Sequence, residues 1–272
     1  MVPVSNNAVR PFLEGHDNHL LRYLDPDALT RLSPRLKLVT LQAEEVLYHP
    51  GDRISHIYFP TTAVLCMLTI MDDGRTVESA TVGHEGASWV TASLGTPTMP
   101  CQTMVAVAGE AHKIAAEYVE EEIRQNGLFH DLVSEYSHSL LISSLRTGAC
   151  NALHTLTQRA ARWLLVTRDR TLGTHFAITH EFLATLLACS RTSLTGALGD
   201  LETSGGILTR RGRIELADRP CLEKSSCECY RTLYENFQAL QSRAKALYSR
   251  ARTPALRKVG SQPPAEARQP EL

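Results

Sequence analysis

The spacing of apolar residues changes character along the chain, and each change predicts a different kind of element. After an irregular lead-in over 1–18, Leu20, Leu21, Leu24, Leu29 and Leu32 recur at helical intervals. Asp25-Pro26-Asp27 divides them into one or two short helices, since proline fits at a helix start. Between 36 and 114 the pattern shortens to β-prone runs at 36–41, 46–49, 56–59, 63–70, 76–82, 103–107 and 111–114. Turn formers such as Pro50-Gly51-Asp52, Asp72-Asp73-Gly74 and Ala108-Gly109-Glu110 separate them. Short strands at this regular spacing predict an antiparallel sandwich or barrel, of which the jelly roll is one form. Helical spacing then returns. A short acidic helix is expected over 115–125. From 128 to about 151–153 runs a long one, with Phe129, Leu132, Val133, Tyr136 and Leu140, then Ser143, Ser144 and Thr147, on one side. A further helix over 154–170 places Leu156, Ala160, Trp163, Leu164 and Val166 inward and Arg159, Arg162 and Arg168 outward.

Beyond a short strand at 176–178, Thr179 is an N-cap candidate followed by a stripe of Phe182, Leu183, Leu186 and Leu187. The stripe stops at Ala188-Cys189, and Ser190 can cap a second helix that buries Leu194, Ala197, Leu198 and Leu201. Arg191, Thr192, Thr195 and Gly199 fall on its other faces, and Gly205-Gly206 supplies a left-handed stop. Two short helices joined by so tight a turn read as a helix-turn-helix or as an ordinary helical hairpin. The next residues favour the first. The β-prone runs 207–209 and 214–216 flank Arg210-Arg211-Gly212-Arg213, a hairpin whose turn carries guanidinium groups, and a winged helix-turn-helix has this order. Ser190, Arg191, Thr192 and Thr195 are then the candidates for base contacts, and Thr179, Arg210, Arg211 and Arg213 for phosphate contacts. Residues 221–226 read as a turn, 228–248 as a helix, and the proline-containing stretch 250–272 as a disordered tail.

Composition bounds this reading. At 272 residues with 43% hydrophobic and 21% charged residues the chain suits a two-domain globular protein. The formal net charge of −1 gives no overall basic signature, and 155–216 with eight arginines and five acidic residues is only modestly positive, so any groove-binding face must be local. Seven cysteines without regular pairing suit reduced thiols better than a disulfide framework. With no membrane-length apolar run and no secretory pattern at the N-terminus, a cytoplasmic location is expected. No serine elbow, phosphate-binding glycine loop or H-E-x-x-H motif proposes catalysis, so no enzyme activity is expected.

The run 178–202, ITHEFLATLLACSRTSLTGALGDLE, resembles the turn and recognition helix of the Crp/Fnr family of bacterial transcription regulators, with Cys189-Ser190-Arg191 and Leu198, Leu201 and Glu202 as the specific residues. Weaker likenesses are Ile57-Tyr58-Phe59-Pro60, Asp72-Asp73-Gly74-Arg75 and Val82-Gly83-His84-Glu85-Gly86. The resemblance covers about residues 20–217. It implies an α+β chain with an N-terminal antiparallel β-roll, jelly-roll-like, as a cyclic-nucleotide-binding-like sensor over 19–127, a long dimerisation helix over 128–153 and a C-terminal winged helix-turn-helix over 154–217. A helical extension over 218–249 follows. The partners implied are double-stranded DNA, a second copy of the chain and RNA polymerase. Gly83, Glu85, Gly86, Ser143 and Ser144 are the implied effector pocket. A branch of the family ending in a segment like Ser226-Cys227-Glu228-Cys229-Tyr230 shares the likeness.

Two departures from the family pattern matter. Thr192 and Gly196 stand where members reading the best-known operator carry a glutamate and a second arginine, so the target sequence should differ. The family also pairs a cyclic nucleotide's phosphate with an arginine about ten positions beyond a glutamate like Glu85, yet no arginine or lysine lies between Arg75 and Lys113. Burying a phosphate unpaired costs about 3 kcal/mol or more, so no physiological binding of cyclic AMP or cyclic GMP is expected and the effector is left open. No cofactor and no metal are expected. Cys227-Glu228-Cys229 with Cys221 has the beginnings of a zinc or iron–sulfur site, but a closed site needs four ligands and the spacing offers no second pair. His84, His112, His138, His154, His175 and His180 show no ligand spacing, and the iron–sulfur members' N-terminal cysteines have no counterpart in residues 1–65. The competing reading is a ligand or redox sensor that acts through protein contacts and keeps a vestigial DNA-binding domain.

Overall fold

The computed structural model of the protein describes residues 18–88, 96–171, 175–210 and 212–252. The lead-in 1–17, Arg211 and the tail from 253 lie outside the described residues. Two short helices open the fold, α1 (His19–Arg22) and α2 (Pro26–Leu32), each capped by a side chain that accepts from its first turn, Asn18 and Asp25. Among the described residues seven strands follow: β1 (Lys37–Leu41), β2 (Val46–Tyr48), β3 (His56–Pro60), β4 (Val64–Ile70), β5 (Thr76–Val82), β6 (Gln102–Val107) and β7 (Gly109–Ala115). They form two antiparallel sheets, ordered β1-β7-β3 and β2-β6-β4-β5, and each run predicted from the sequence is a strand. Gly109, expected in a turn, begins β7. A Cβ there would stand 2.5 Å from the Ala63 amide nitrogen, so only glycine lets the chains cross this closely.

β4 explains how the halves of the molecule are joined. Val64 to Leu68 are all buried, where a sheet with one wet face would alternate. Leu65 and Met67 point into the β-roll core with Ile57, Phe59 and Val105. Val64, Cys66 and Leu68 point the other way, into a second core shared with Trp163, Leu164, Leu183 and Leu198. The continuous apolar run of this strand is thus the signature of a sheet covered on both faces. Glu78 of β5 is buried in the same contact and accepts from Trp163 Nε1 and Thr81 Oγ1, while burial pushes its carboxyl above the usual range.

Helix α3 (Ala116–Arg124) leads to the long α4 (Leu128–Leu153), which buries Phe129, Leu132, Val133 and Tyr136 on the β-roll. α5 (Leu156–Arg170) starts at a capping box of Thr155 and Gln158, with His154 as the α4 cap, so the break lies two residues after the predicted start of this helix. Arg162, expected outside, is 2% exposed and donates to Thr147 Oγ1. α5 is packed on several sides, so no face is left for solvent at that position. β8 (His175–Ala177), α6 (His180–Leu186), α7 (Arg191–Thr203), β9 (Ile207–Arg210) and β10 (Arg213–Leu216) complete the winged unit, with sheet order β8-β10-β9. The predicted turn at 221–226 is instead part of α8 (Arg219–Ser225). Asp218 caps it by accepting from the Cys221 amide, and Pro220 sits in its first turn. α9 (Glu228–Arg252) extends past the predicted end at 248 and takes in the first residues assigned to the tail. It lies antiparallel on α4, tied by Asn236 to Ser139 and by Arg243 to Glu135. Among the described residues no helix is long and apolar enough to cross a membrane.

Candidate nucleic-acid interface

The two helices of the turn unit are built from local capping. Thr179 Oγ1 accepts the Phe182 amide at 3.1 Å to start α6, and Ser190 Oγ accepts the Ser193 amide at 3.0 Å to start α7. Between them Ala188 adopts φ 48°, the left-handed residue that reverses the chain so sharply. α6 buries Phe182, Leu183, Ala184 and Leu186, and α7 buries Leu194, Ala197, Leu198 and Leu201. Every apolar position expected inside these helices is inside. Their common core with Trp163 fixes the orientation of α7.

What remains outside on α7 is polar. Ser190, Arg191, Thr192 and Thr195 are all exposed at or near its N-terminus. Thr195 Oγ1 bonds to the Arg191 carbonyl and faces His180 Nδ1 at 3.2 Å, so it is held in place. Among the described residues the Arg191 side chain makes no hydrogen bond or ion pair, leaving its five N–H donors for another molecule. Arg210 and Arg213 are directly paired across β9 and β10, and both are exposed. The two-residue turn between them needs a left-handed residue, supplied by Gly212 at φ 72°. Arg211, the third guanidinium assigned to phosphate, lies outside the described residues. Thr179, the fourth candidate, is exposed, but its hydroxyl already caps α6 and donates to Glu44 at 3.4 Å.

The wing is not independent of the helix. Glu202, in the sequence only a mark of the family resemblance, accepts the Thr209 amide at 2.8 Å and the Thr209 hydroxyl at 2.7 Å, pinning β9 to the end of α7. Those bonds hold its carboxyl below the usual range. As a result Arg191 and Arg210 line one open cleft of about 560 Å³ together with His180, Glu181 and Gly212.

The implied effector residues fall into two groups. Gly83, Glu85 and Gly86 share one loop, and that loop is covered on several sides. Arg170 Nε of α5 sits 2.7 Å from Glu85 Oε1, and Glu85 Oε2 accepts the Gly83 amide. Burial, the largest single influence, would raise the Glu85 carboxyl, but the Arg170 guanidinium, His84 and a backbone hydrogen bond together hold the group below its ordinary value. Tyr136 packs on Gly86, where a Cβ would lie 2.0 Å from its ring. Asn18 Nδ2 donates to the Gly86 carbonyl, and His84 stacks edge-on against His19 and Phe237. Ser143 is engaged elsewhere, bonded to the Ser139 carbonyl and reached by Asn236 of α9, and Ser144 is half-buried on α4. Arg170 was invisible as a partner in the sequence because 85 residues separate it from Glu85.

The model of the Crp-like helix-turn-helix domain matches residues 158–225. The transcriptional regulator LdrP of Thermus thermophilus is 30% identical over 198 residues, which span 67% of this chain and 93% of that regulator. Among solved structures, FixK2 from Bradyrhizobium japonicum superposes with a TM-score of 0.57 at 14% identity, over 71% of this chain and 98% of that one. A Crp/Fnr-family transcriptional regulator from Eubacterium rectale gives 0.58 at 18% identity, over 76% and 96%. These two structures share the fold, and the kinship with LdrP reaches across both halves of it. The chain belongs to the Crp/Fnr family of transcription regulators.

Proposed function

We propose that the protein is a homodimeric, sequence-specific DNA-binding regulator that acts on RNA polymerase and whose sensor domain does not answer to cyclic nucleotides. The observation that carries the DNA reading is the unpaired, exposed Arg191 at the N-terminus of α7, sharing a cleft with Arg210 of the wing. A helix N-terminus in the major groove with wing cations on the backbone divides the work in the usual way: Arg191 with Ser190, Thr192 and Thr195 reads base edges, and Arg210, Arg211, Arg213 and Thr179 hold phosphates.

Dimerisation is supported by the face of α4 that packs on nothing among the described residues. Leu141 and Leu145 are 57% and 67% exposed, one helical turn apart, and exposed Gly148, Ala149 and Ala152 continue the stripe toward the C-terminus. Pairing that stripe with its copy would bury it and present two recognition helices to two half-sites. The sensor reading is supported by Glu85. Its carboxylate is 4% exposed and already neutralised by Arg170, so it offers nothing to a ribose hydroxyl, and no cation stands in the loop for a phosphate. The test is duplex binding as a function of salt. Wild type should show a steep negative slope of log K against log salt, and Arg210→Ala with Arg213→Ala should reduce it by about one unit per arginine in each protomer. A flat salt response in wild type would instead favour a sensor that works through protein contacts.

A further inference from the structure

Four metal-ligand side chains meet where the long helix ends and the DNA-binding domain begins. Cys150 lies in the last turn of α4, His154 caps that helix, Cys227 sits in the connection from α8 to α9, and Cys229 lies in the first turn of α9. Their donor atoms all fall within 4.8 Å of one another. Cys150 Sγ is 3.5 Å from Cys227 Sγ, and Cys229 Sγ is 3.7 Å from His154 Nδ1. Donors on a tetrahedral ion with sulfur at ~2.3 Å and nitrogen at ~2.0 Å stand about 3.5–3.8 Å apart, so little movement separates this arrangement from coordination. The second ligand pair that the C-x-C segment lacks in sequence is thus Cys150 and His154, four residues apart on one helix face. Cys221 is not part of the cluster; its thiol donates to the Ser204 carbonyl.

The surroundings support ligation over simple packing. The three thiols are buried and cluster only with one another, apart from both large hydrophobic cores. His154 Nε2 is 3.2 Å from Glu228 Oε2, a carboxylate that fixes the tautomer leaving Nδ1 toward the sulfurs, as outer carboxylates do for histidine ligands. Arg162, buried and with no carboxylate at ion-pair distance among the described residues, lies close enough to act electrostatically on Cys150, and three thiolates around a dication would leave a net negative charge for it to balance. One nitrogen and three buried thiolates suit zinc. The donors are too tightly gathered to straddle an iron–sulfur cluster, whose cysteines bind different irons.

We propose that Cys150, His154, Cys227 and Cys229 bind one zinc ion in a closed tetrahedral site that clamps α9 onto the joint between α4 and α5. Since His154 is the residue at which the chain turns into the DNA-binding domain, ion binding stabilises that joint directly. Zinc binding at this joint does not depend on which operator or effector the protein uses.

Metal analysis of the full-length protein, purified under reducing conditions without a metal-affinity tag, should find one zinc per chain. Cobalt exchanged into the site should give thiolate-to-metal charge-transfer bands and the visible bands of a tetrahedral ion. Cys229→Ser and His154→Ala should lose most of the metal, whereas Cys221→Ser and Cys101→Ser should keep it. His154→Cys, which retains four donors, should bind cobalt with stronger charge-transfer absorption, and it keeps the test valid if the truncations fold poorly. Zinc-free wild type that takes up no cobalt, or a Cys150–Cys227 disulfide in protein isolated with thiols blocked at lysis, would overturn the site. So would equal metal loss in Cys221→Ser and Cys229→Ser.

Discussion

Arg170 and Glu85 form a buried ion pair, Nε to Oε1 at 2.7 Å, that joins the last turn of the first DNA-binding-domain helix to the β-roll loop that carries Gly83, Glu85 and Gly86. The guanidinium also donates to the Val166 carbonyl and lies 5.6 Å from the Phe237 ring, so α5, the β-roll loop and α9 converge on one side chain. Removing one member of such a pair leaves the other charged and dry, whereas removing both can be nearly neutral. Arg170→Met should therefore destabilise the protein by about 3–5 kcal/mol in urea denaturation, and the double variant Arg170→Met, Glu85→Gln should recover most of that loss. Additive losses in the double-mutant cycle would mean that the pair does not couple the two domains.

The same pair sets a pH response. Glu85 ionises more readily folded than unfolded, so the unfolded state binds more protons and stability rises with pH through its titration. Its contribution is complete above the ordinary carboxylate range and fades as pH falls through the depressed folded value. Glu78 has the opposite sign, since its folded carboxyl is raised and its ionisation at higher pH disfavours the docked arrangement. Denaturation midpoints of Glu85→Gln against wild type should converge at low pH and separate toward neutrality; those of Glu78→Gln should close on or overtake wild type as pH rises.

At the DNA face, base readout and backbone grip should separate by residue. Arg191→Ala is expected to cost about 1–3 kcal/mol on the cognate duplex with little change on random sequence, measured by fluorescence anisotropy at fixed salt. An equal loss on both duplexes would assign Arg191 to phosphates and leave the reading of sequence to Ser190, Thr192 and Thr195.

The proposed dimer rests on the exposed stripe of α4. Leu141→Glu with Leu145→Glu should shift the sedimentation coefficient to that of a monomer while leaving the fold intact, because neither side chain is packed within the protomer. Unchanged sedimentation would place the dimer contact elsewhere.

Gly86 offers a test of how tightly the β-roll loop is closed. A Cβ there would penetrate the Tyr136 ring, and Tyr136 is held by its hydroxyl to the Ala87 carbonyl at 3.0 Å. Gly86→Ala should cost roughly 1–3 kcal/mol by overpacking, visible as a lowered thermal midpoint. A midpoint equal to that of wild type would show that the tyrosine swings away freely and that the loop can open.

Much of the fold was legible because its signals are local. The stripes of Phe182, Leu183, Leu186 and Leu187 and of Leu194, Ala197, Leu198 and Leu201, the hydroxyls of Thr179 and Ser190 and the glycine turn of the wing each act within a few residues, and the structure places them as their spacing implies. The strands were readable for the same reason. Position in the sequence could not say which side of α5 was dry. Arg162 reads as a surface cation, and it is buried because neighbouring elements, distant in sequence, close around that helix.

The chain by itself therefore determined most of the elements, their order and the exposed polar end of α7, since helix periodicity, capping and turn chemistry are short-range. Only tertiary structure decided the pairings that span the fold: Glu85 with Arg170, Glu78 with Trp163, and Cys150 and His154 with Cys227 and Cys229. Each joins residues at least 73 positions apart, and what brings them together is burial of apolar faces on both sides of β4 and along α4, not any property of the residues that meet.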